Sequence, residues 1–214
     1  MIDTLVAANK IKAKYPHLNS SSHHKTWQRI CFVPQLITGK SILEFGTGDG
    51  CCINLLAELN KFERMVSIDE KQHSKLQKLS NEVEFEKRIF RNTKFKNNEF
   101  ESVICMEILE HLGGQRKDES REWLGWDLSQ FYDVLNEARR ICTKRLIMTI
   151  PFEEEFPIYK FDQATGHKQI FDRNKIITLF PKAKFINLHH WLFIIEDNPI
   201  HREFEFSSID KVII

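Results

Sequence analysis

Four short stretches of the chain carry side chains able to do chemistry. The first is Ile42-Leu43-Glu44-Phe45-Gly46-Thr47-Gly48-Asp49-Gly50, with a glycine at every second position from Gly46. Glycines so spaced let the backbone turn sharply from a strand into a helix, and let a ligand approach the main chain. A helix starting there aims N–H groups at whatever occupies the turn. The second is Met65-Val66-Ser67-Ile68-Asp69-Glu70. It lies about 20 residues further on, where an acid at the end of a second strand accepts the hydroxyls of a ribose. Asp69 is the first choice for that task and Glu70 the second, and either can instead cap a following helix. The third is Met106-Glu107-Ile108-Leu109-Glu110-His111, two carboxylates and an imidazole at helical spacings that can converge. His111 is read as a general base, as a metal ligand, or as a histidine that stabilises the turn. The fourth is Gly166-His167-Lys168, where His167 can deprotonate or orient a hydroxyl, or simply hold its loop.

The elements that must position these residues follow from hydrophobic periodicity. The pattern predicts strands at 41–45, 65–68, 83–90, 100–105 and 145–150. Helices are predicted at 1–14, 23–36 (capped by Ser22, with Pro34 near its end), 51–59, 71–80, 127–141 and 173–180. In the 127–141 helix Leu128, Phe131, Leu135, Ala138 and Ile141 share one face. Short apolar strands alternating with helices indicate a parallel sheet covered on both faces. Residues 184–195 and 202–214 are β-rich and flank the turn Asp197-Asn198-Pro199, which predicts a C-terminal antiparallel hairpin. Between 112 and 127 lies a polar loop with Trp123 and Trp126, a candidate lid or flat contact surface.

The composition is that of an ordinary globular domain: 214 residues, 42% hydrophobic and 29% charged. A formal net charge of +1 provides no strong pull toward nucleic acid or an anionic membrane, so a nucleic-acid partner is disfavoured though left open. The five cysteines are odd in number and include no CxxC pair, so they read as reduced, mostly buried thiols rather than as a zinc site. No apolar run is long enough to cross a membrane, and the first residues lack the order of charges of a secretory leader. The expectation is a cytoplasmic protein without a membrane partner. Oligomeric state is not legible.

Glu44-Phe45-Gly46-Thr47-Gly48-Asp49-Gly50 resembles motif I, (D/E)xGxGxG, of class I S-adenosylmethionine-dependent methyltransferases. Its spacing differs from the GxGxxG of nicotinamide and flavin enzymes. Phe100–His111 is similar to the "FDvVvcsevLEHl" segment, and Gly166–Phe171 to the "GHvrxf" segment, of the broad small-molecule methyltransferase group. The resemblance covers most of residues 40–171. It implies a three-layer α-β-α Rossmann-like fold, a mostly parallel seven-stranded sheet with a C-terminal antiparallel hairpin. Residues 39–214 would form the methyltransferase domain, and residues 1–38 a helical cap in which His23, His24 and Trp27 cover the cofactor.

S-adenosyl-L-methionine is the implied cofactor. The resemblance implies Gly46 and Gly48 beside its amino-acid part, with Phe45, Thr47 and Gly50 completing the turn, and Glu44 reaching its ammonium group. Met106 and Glu107 would border the methyl group. Many members place an acid after strand three, against the adenine amine; this chain reads Arg88-Ile89-Phe90-Arg91-Asn92 there. Backbone groups and packing on Ile89 or Phe90 would then hold the ring.

The function so implied is methyl transfer to a small-molecule or glycan-like acceptor, at oxygen, with His111 and His167 as candidate catalytic residues and no metal. Two alternatives stand beside it. Glu107, Glu110, His111 and His167 resemble the magnesium-binding set of enzymes that methylate the 2′-hydroxyl at RNA 3′ ends. A non-catalytic cofactor-binding module is the other. The (N/D/S)PP(Y/F) motif of enzymes that methylate base amino groups is absent from the end of strand four, which reads Cys105-Met106-Glu107-Ile108.

Overall fold

Strand β1, Ser41–Phe45, runs through the centre of the molecule with Ile42, Leu43, Glu44 and Phe45 all buried. Alternation along it divides the interior in two. Leu43 and Phe45 join an apolar cluster on one face of the sheet, and Ile42 joins a second cluster on the other. The computed structural model describes residues 2–16, 24–71, 76, 78–117, 123–127, 129–152, 171, 173–189 and 191–200.

The elements in order are α1 (Ile2–Lys14), α2 (His24–Phe32), β1, α3 (Cys51–Glu58), β2 (Arg64–Asp69), β3 (Val83–Lys87), β4 (Phe100–Met106), β5 (Gly114–Lys117), β6 (Trp123–Asp127), α4 (Ser129–Ile141), β7 (Cys142–Pro151), α5 (Arg173–Leu179), β8 (Lys184–Leu188) and β9 (Trp191–Asp197). Seven strands form one sheet in the order β3-β2-β1-β4-β7-β9-β8. The pairs from β3 to β7 are parallel, and β9 is antiparallel to both β7 and β8. Helices α1, α2 and α3 contribute to the cluster around Ile42, while α4 and α5 contribute to the one around Leu43 and Phe45. This is the expected three-layer arrangement. Burial of such side chains stabilises by roughly 1.5–3 kcal/mol each relative to exposure, which is why every central strand reads as a nearly continuous apolar run.

The strand order reverses at β1 and β4. Crossovers leave the sheet in opposite directions there, opening a crevice at the carboxyl ends of these strands. The glycine turn, the end of β2 and the end of β4 all lie at that edge.

Three local expectations are corrected. The C-terminal hairpin is β8–β9, with His189 in the left-handed region (φ 59°) of the turn between them, rather than a pair flanking Asp197-Asn198-Pro199. Residues 202–214 lie outside the described residues. The stretch between 112 and 127 contains an antiparallel two-stranded sheet, β5–β6, rather than only loop. The described residues from Lys71 to Ser80 are not helical. Their polar groups are satisfied from elsewhere: the Lys78 carbonyl accepts from Lys14 Nζ at 2.7 Å, and the Ser80 amide donates to Asn54 Oδ1 at 2.8 Å. Near the start, Pro34 lies in a single 3₁₀ turn, Val33–Gln35, that ends α2. All five cysteines are free; four are buried and Cys31 is half-buried. No helix among the described residues is long and apolar enough to cross a membrane.

Candidate functional site

The glycine turn is held by its own main chain. Gly46 and Thr47 donate to the Ile68 carbonyl at 2.8 and 3.3 Å, and Gly50 donates to the Thr47 carbonyl at 2.8 Å. The Cys51 amide, first in α3, donates to Asp49 Oδ1 at 3.0 Å. Four amides of the turn are therefore already engaged with protein acceptors. The turn offers a different property. Gly46, Gly48 and Gly50 all have positive φ (79°, 55° and 82°), which only glycine adopts readily. A Cβ on Gly46 would lie 2.3 Å from Ile108 Cδ1, whereas one on Gly48 would meet nothing within 4 Å. At Gly46 a Cβ would displace the end of the Ile108 side chain, whereas Gly48 borders open space.

Beneath the turn lies a chain of hydroxyls. Ser67 Oγ donates to Glu44 Oε2 at 2.6 Å and is 2.7 Å from Thr47 Oγ1. Glu44 is 2% exposed. Burial raises its pKa to about 8, an effect partly offset by the hydrogen bonds from Ser67 and Cys52. In this geometry Glu44 addresses the turn from below, through Ser67 and Thr47. Phe45 is fully buried.

Asp69, the last residue of β2, faces the turn. Its Oδ2 accepts from the Gly48 amide at 3.2 Å and its Oδ1 from the Lys71 amide at 3.1 Å. A carboxylate has about four acceptor positions, so two remain for a pair of ligand hydroxyls. Glu70 faces elsewhere: its Oε1 accepts from the Phe90 amide at 3.2 Å. The Phe90 ring is buried against Phe45, centroids 5.5 Å apart, while Ile89 is 55% exposed. Of the two apolar residues expected near adenine, Ile89 presents a side chain and Phe90 presents backbone.

The end of β4 carries a second buried network. Glu107 has φ 55°, unusual for a non-glycine residue, and is held there by its amide bond to the Thr149 carbonyl (3.2 Å) and by Thr149 Oγ1 donating to its Oε1 (3.2 Å). Arg29 of α2 places Nη1 2.7 Å from the same Oε1, and its guanidinium stacks 4.3 Å from the Trp191 ring. Glu110, in the 3₁₀ turn Leu109–His111, is fully buried beside Glu107 and receives no N–H or O–H donor on either oxygen. Burial pushes both carboxyls above the ordinary range; Arg29 draws Glu107 back down, while the charge of Glu107 drives Glu110 further up. Both carboxyls are thereby held above the ordinary range, Glu110 the further of the two.

The described members of the expected magnesium set do not form an open oxygen cage. Glu107 is committed to a guanidinium, and no group of three or more His, Cys, Asp or Glu among the described residues is placed to hold a metal. Met106 and His111 are half-buried at this end. His167 lies outside the described residues, as do His23 and the segment 153–170. Arg29 is the site residue the sequence reading missed. It is buried with Trp27 and Ile30 on the inner side of α2, where a cation needs an acid partner.

Comparison with known proteins adds the architecture. No family model matches the chain, and no curated protein does. Solved structures match over nearly the whole chain. A S-adenosylmethionine-dependent methyltransferase of Thermotoga maritima is similar at 13% identity and TM-score 0.61, covering 92% of this chain and 100% of its own. The chain has the class I methyltransferase fold. The methyltransferase domain of a bacterial Hen1 is similar at 18% identity and TM-score 0.58, with 80% and 98% covered. The [4+2]-cyclase SpnF, at 12% identity and TM-score 0.59 with 81% and 80% covered, shares the fold under a different reaction name. The fold alone therefore does not name the reaction.

Proposed function

We propose that the protein binds S-adenosyl-L-methionine at the glycine turn and transfers its methyl group to a small-molecule or glycan-like acceptor, at oxygen. The observation that carries this reading is the pairing of Gly48, whose Cα faces open space, with Asp69, whose carboxylate keeps two acceptor positions beside it. A zwitterion carrying a ribose suits that surface, whereas a pyrophosphate would meet the Asp69 carboxylate bonded to the turn.

When bound, the cofactor supplies a methyl group on a positively charged sulfur, already activated for in-line displacement. What remains for the protein is alignment in a water-poor pocket. Asp69 would hold the ribose, and the Glu44–Ser67–Thr47 chain would keep the turn rigid. Met106 and Glu107 would border the methyl position, with Glu107 locked by Arg29 and Thr149. A hydroxyl acceptor calls for a base, and His111 and His167 are the candidates. The magnesium-dependent reading draws no support from Glu107, whose partner is Arg29.

Calorimetry with S-adenosylhomocysteine tests the cofactor. Binding by the wild type and loss in Asp69→Ala support the proposal; no binding by the wild type overturns it. Binding with no turnover across a panel of alcohols, sugars and short RNAs would favour the non-catalytic module.

A further inference from the structure

We propose that Glu70 reads the exocyclic amine of the cofactor's adenine, replacing the acid that this chain lacks after its third strand. The inference rests on the cofactor reading above and assigns a specific edge of the ligand to a specific side chain.

Asp69 and Glu70 are adjacent, yet their carboxylates serve different loops. Asp69 bonds the Gly48 amide and the Lys71 amide, which places it on the glycine-turn side of β2. Glu70 bonds the Phe90 amide, which places it on the β3 side. A ribose hydroxyl pair and an adenine ring need contacts on those two sides, because one ring joins directly to the other. Two neighbouring acids aimed apart therefore divide the nucleoside between them.

The pair Glu70 Oε1 and Phe90 N–H is an acceptor beside a donor. The Watson–Crick edge of adenine is the complement, a donor amine beside the acceptor N1. With no ligand the two protein groups satisfy one another at 3.2 Å. Adenine would exchange that bond for two: the Phe90 amide donates to N1, and the amine donates to Glu70. No polar group is left unpaired in either state, which keeps the exchange inexpensive. The position also has a surface for the ring, since Ile89 is 55% exposed in the same loop. None of the other residues from Arg88 to Asn92 is an acid. Arg88 is engaged with Glu86 and with the Thr93 carbonyl.

The test is a cycle of two proteins and two ligands, read by calorimetry. The ligands are S-adenosylhomocysteine and its purine analogue, which keeps N1 and lacks the amine. The wild type should prefer the adenine ligand by about tenfold, the ratio expected for one hydrogen bond to a charged group. Glu70→Ala should lose that preference, and Glu70→Gln, which keeps an acceptor oxygen, should retain part of it. If Glu70 only braces the β3 loop, Glu70→Ala weakens both ligands alike and leaves the ratio unchanged; that outcome overturns the proposal. A wild type that binds neither ligand overturns it together with the cofactor reading, whereas a preference surviving in Glu70→Ala overturns it alone.

Discussion

The two ends of the crevice both bury carboxyl groups, and they compensate them differently. At the glycine turn, Glu44 is satisfied by hydroxyl and thiol donors and stays uncharged easily, with a pKa of about 8. At the end of β4, Glu107 is paired with the Arg29 guanidinium, Nη1 to Oε1 2.7 Å. A buried neutral acid braces a turn with little electrostatic reach. A buried ion pair ties together elements far apart in sequence, here α2 and the end of β4, and makes each partner depend on the other. The donor end is thus locally self-sufficient, while the β4 end depends on the N-terminal helices.

Breaking the ion pair should have the largest effect. Arg29→Ala leaves the half-buried Glu107 without its counter-charge, so urea denaturation should show a loss of about 3 kcal/mol. The Arg29→Met/Glu107→Gln double variant should recover part of it; a loss equal to the sum of the single variants would show that the two residues are not coupled. Next comes the contrast between two glycines. Gly46→Ala meets Ile108 and a positive φ together, so it should lower stability by about 2 kcal/mol, visible as a drop in Tm. Gly48→Ala carries only the φ cost of about 1 kcal/mol. Its main effect should be on S-adenosylhomocysteine affinity in calorimetry. Equal effects of the two on stability and on binding would erase the distinction between a packing glycine and a ligand-facing one.

Asp69→Ala should weaken S-adenosylhomocysteine by at least tenfold, roughly 1.5 kcal/mol, with Tm little changed. The smallest effect is a pH dependence. The folded-state pKa of Glu44 is raised, so the stability tied to its protonated form is full below about pH 4.5 and is lost as pH rises toward about 8. Glu44→Gln should remove that slope, seen as a wild-type minus variant difference in Tm that shrinks from pH 5 to pH 8. A constant difference would mean that Glu44 is ionised throughout.

Much of this was legible in the sequence. The glycine turn, the two acids at the end of β2, the sheet and its layers follow from short continuous apolar runs and from glycine spacing, which are local signals. Other features depended on distant partners. The stretch from Lys71 to Ser80 had helical composition, but among its described residues the Lys78 carbonyl accepts from Lys14 and the Ser80 amide donates to Asn54, partners far away in sequence. Arg29 gave no motif, because its meaning lies in Glu107, 78 residues away (107 − 29). The different aims of Asp69 and Glu70 likewise depend on which loop each meets.

The placement of β9 has a consequence for how the chain matures. It is the penultimate strand in space and the last described strand in sequence, inserted between β7 and β8. Until residues 191–197 leave the ribosome, the apolar edge of β7 has no neighbour, and Arg139 lacks Glu196, its buried partner at 2.6 Å. An unpaired apolar edge is a template for mispairing with other chains. Closure of the sheet therefore waits for one late segment, and nascent chains stopped short of Trp191 should be the ones that depend on chaperones and aggregate without them.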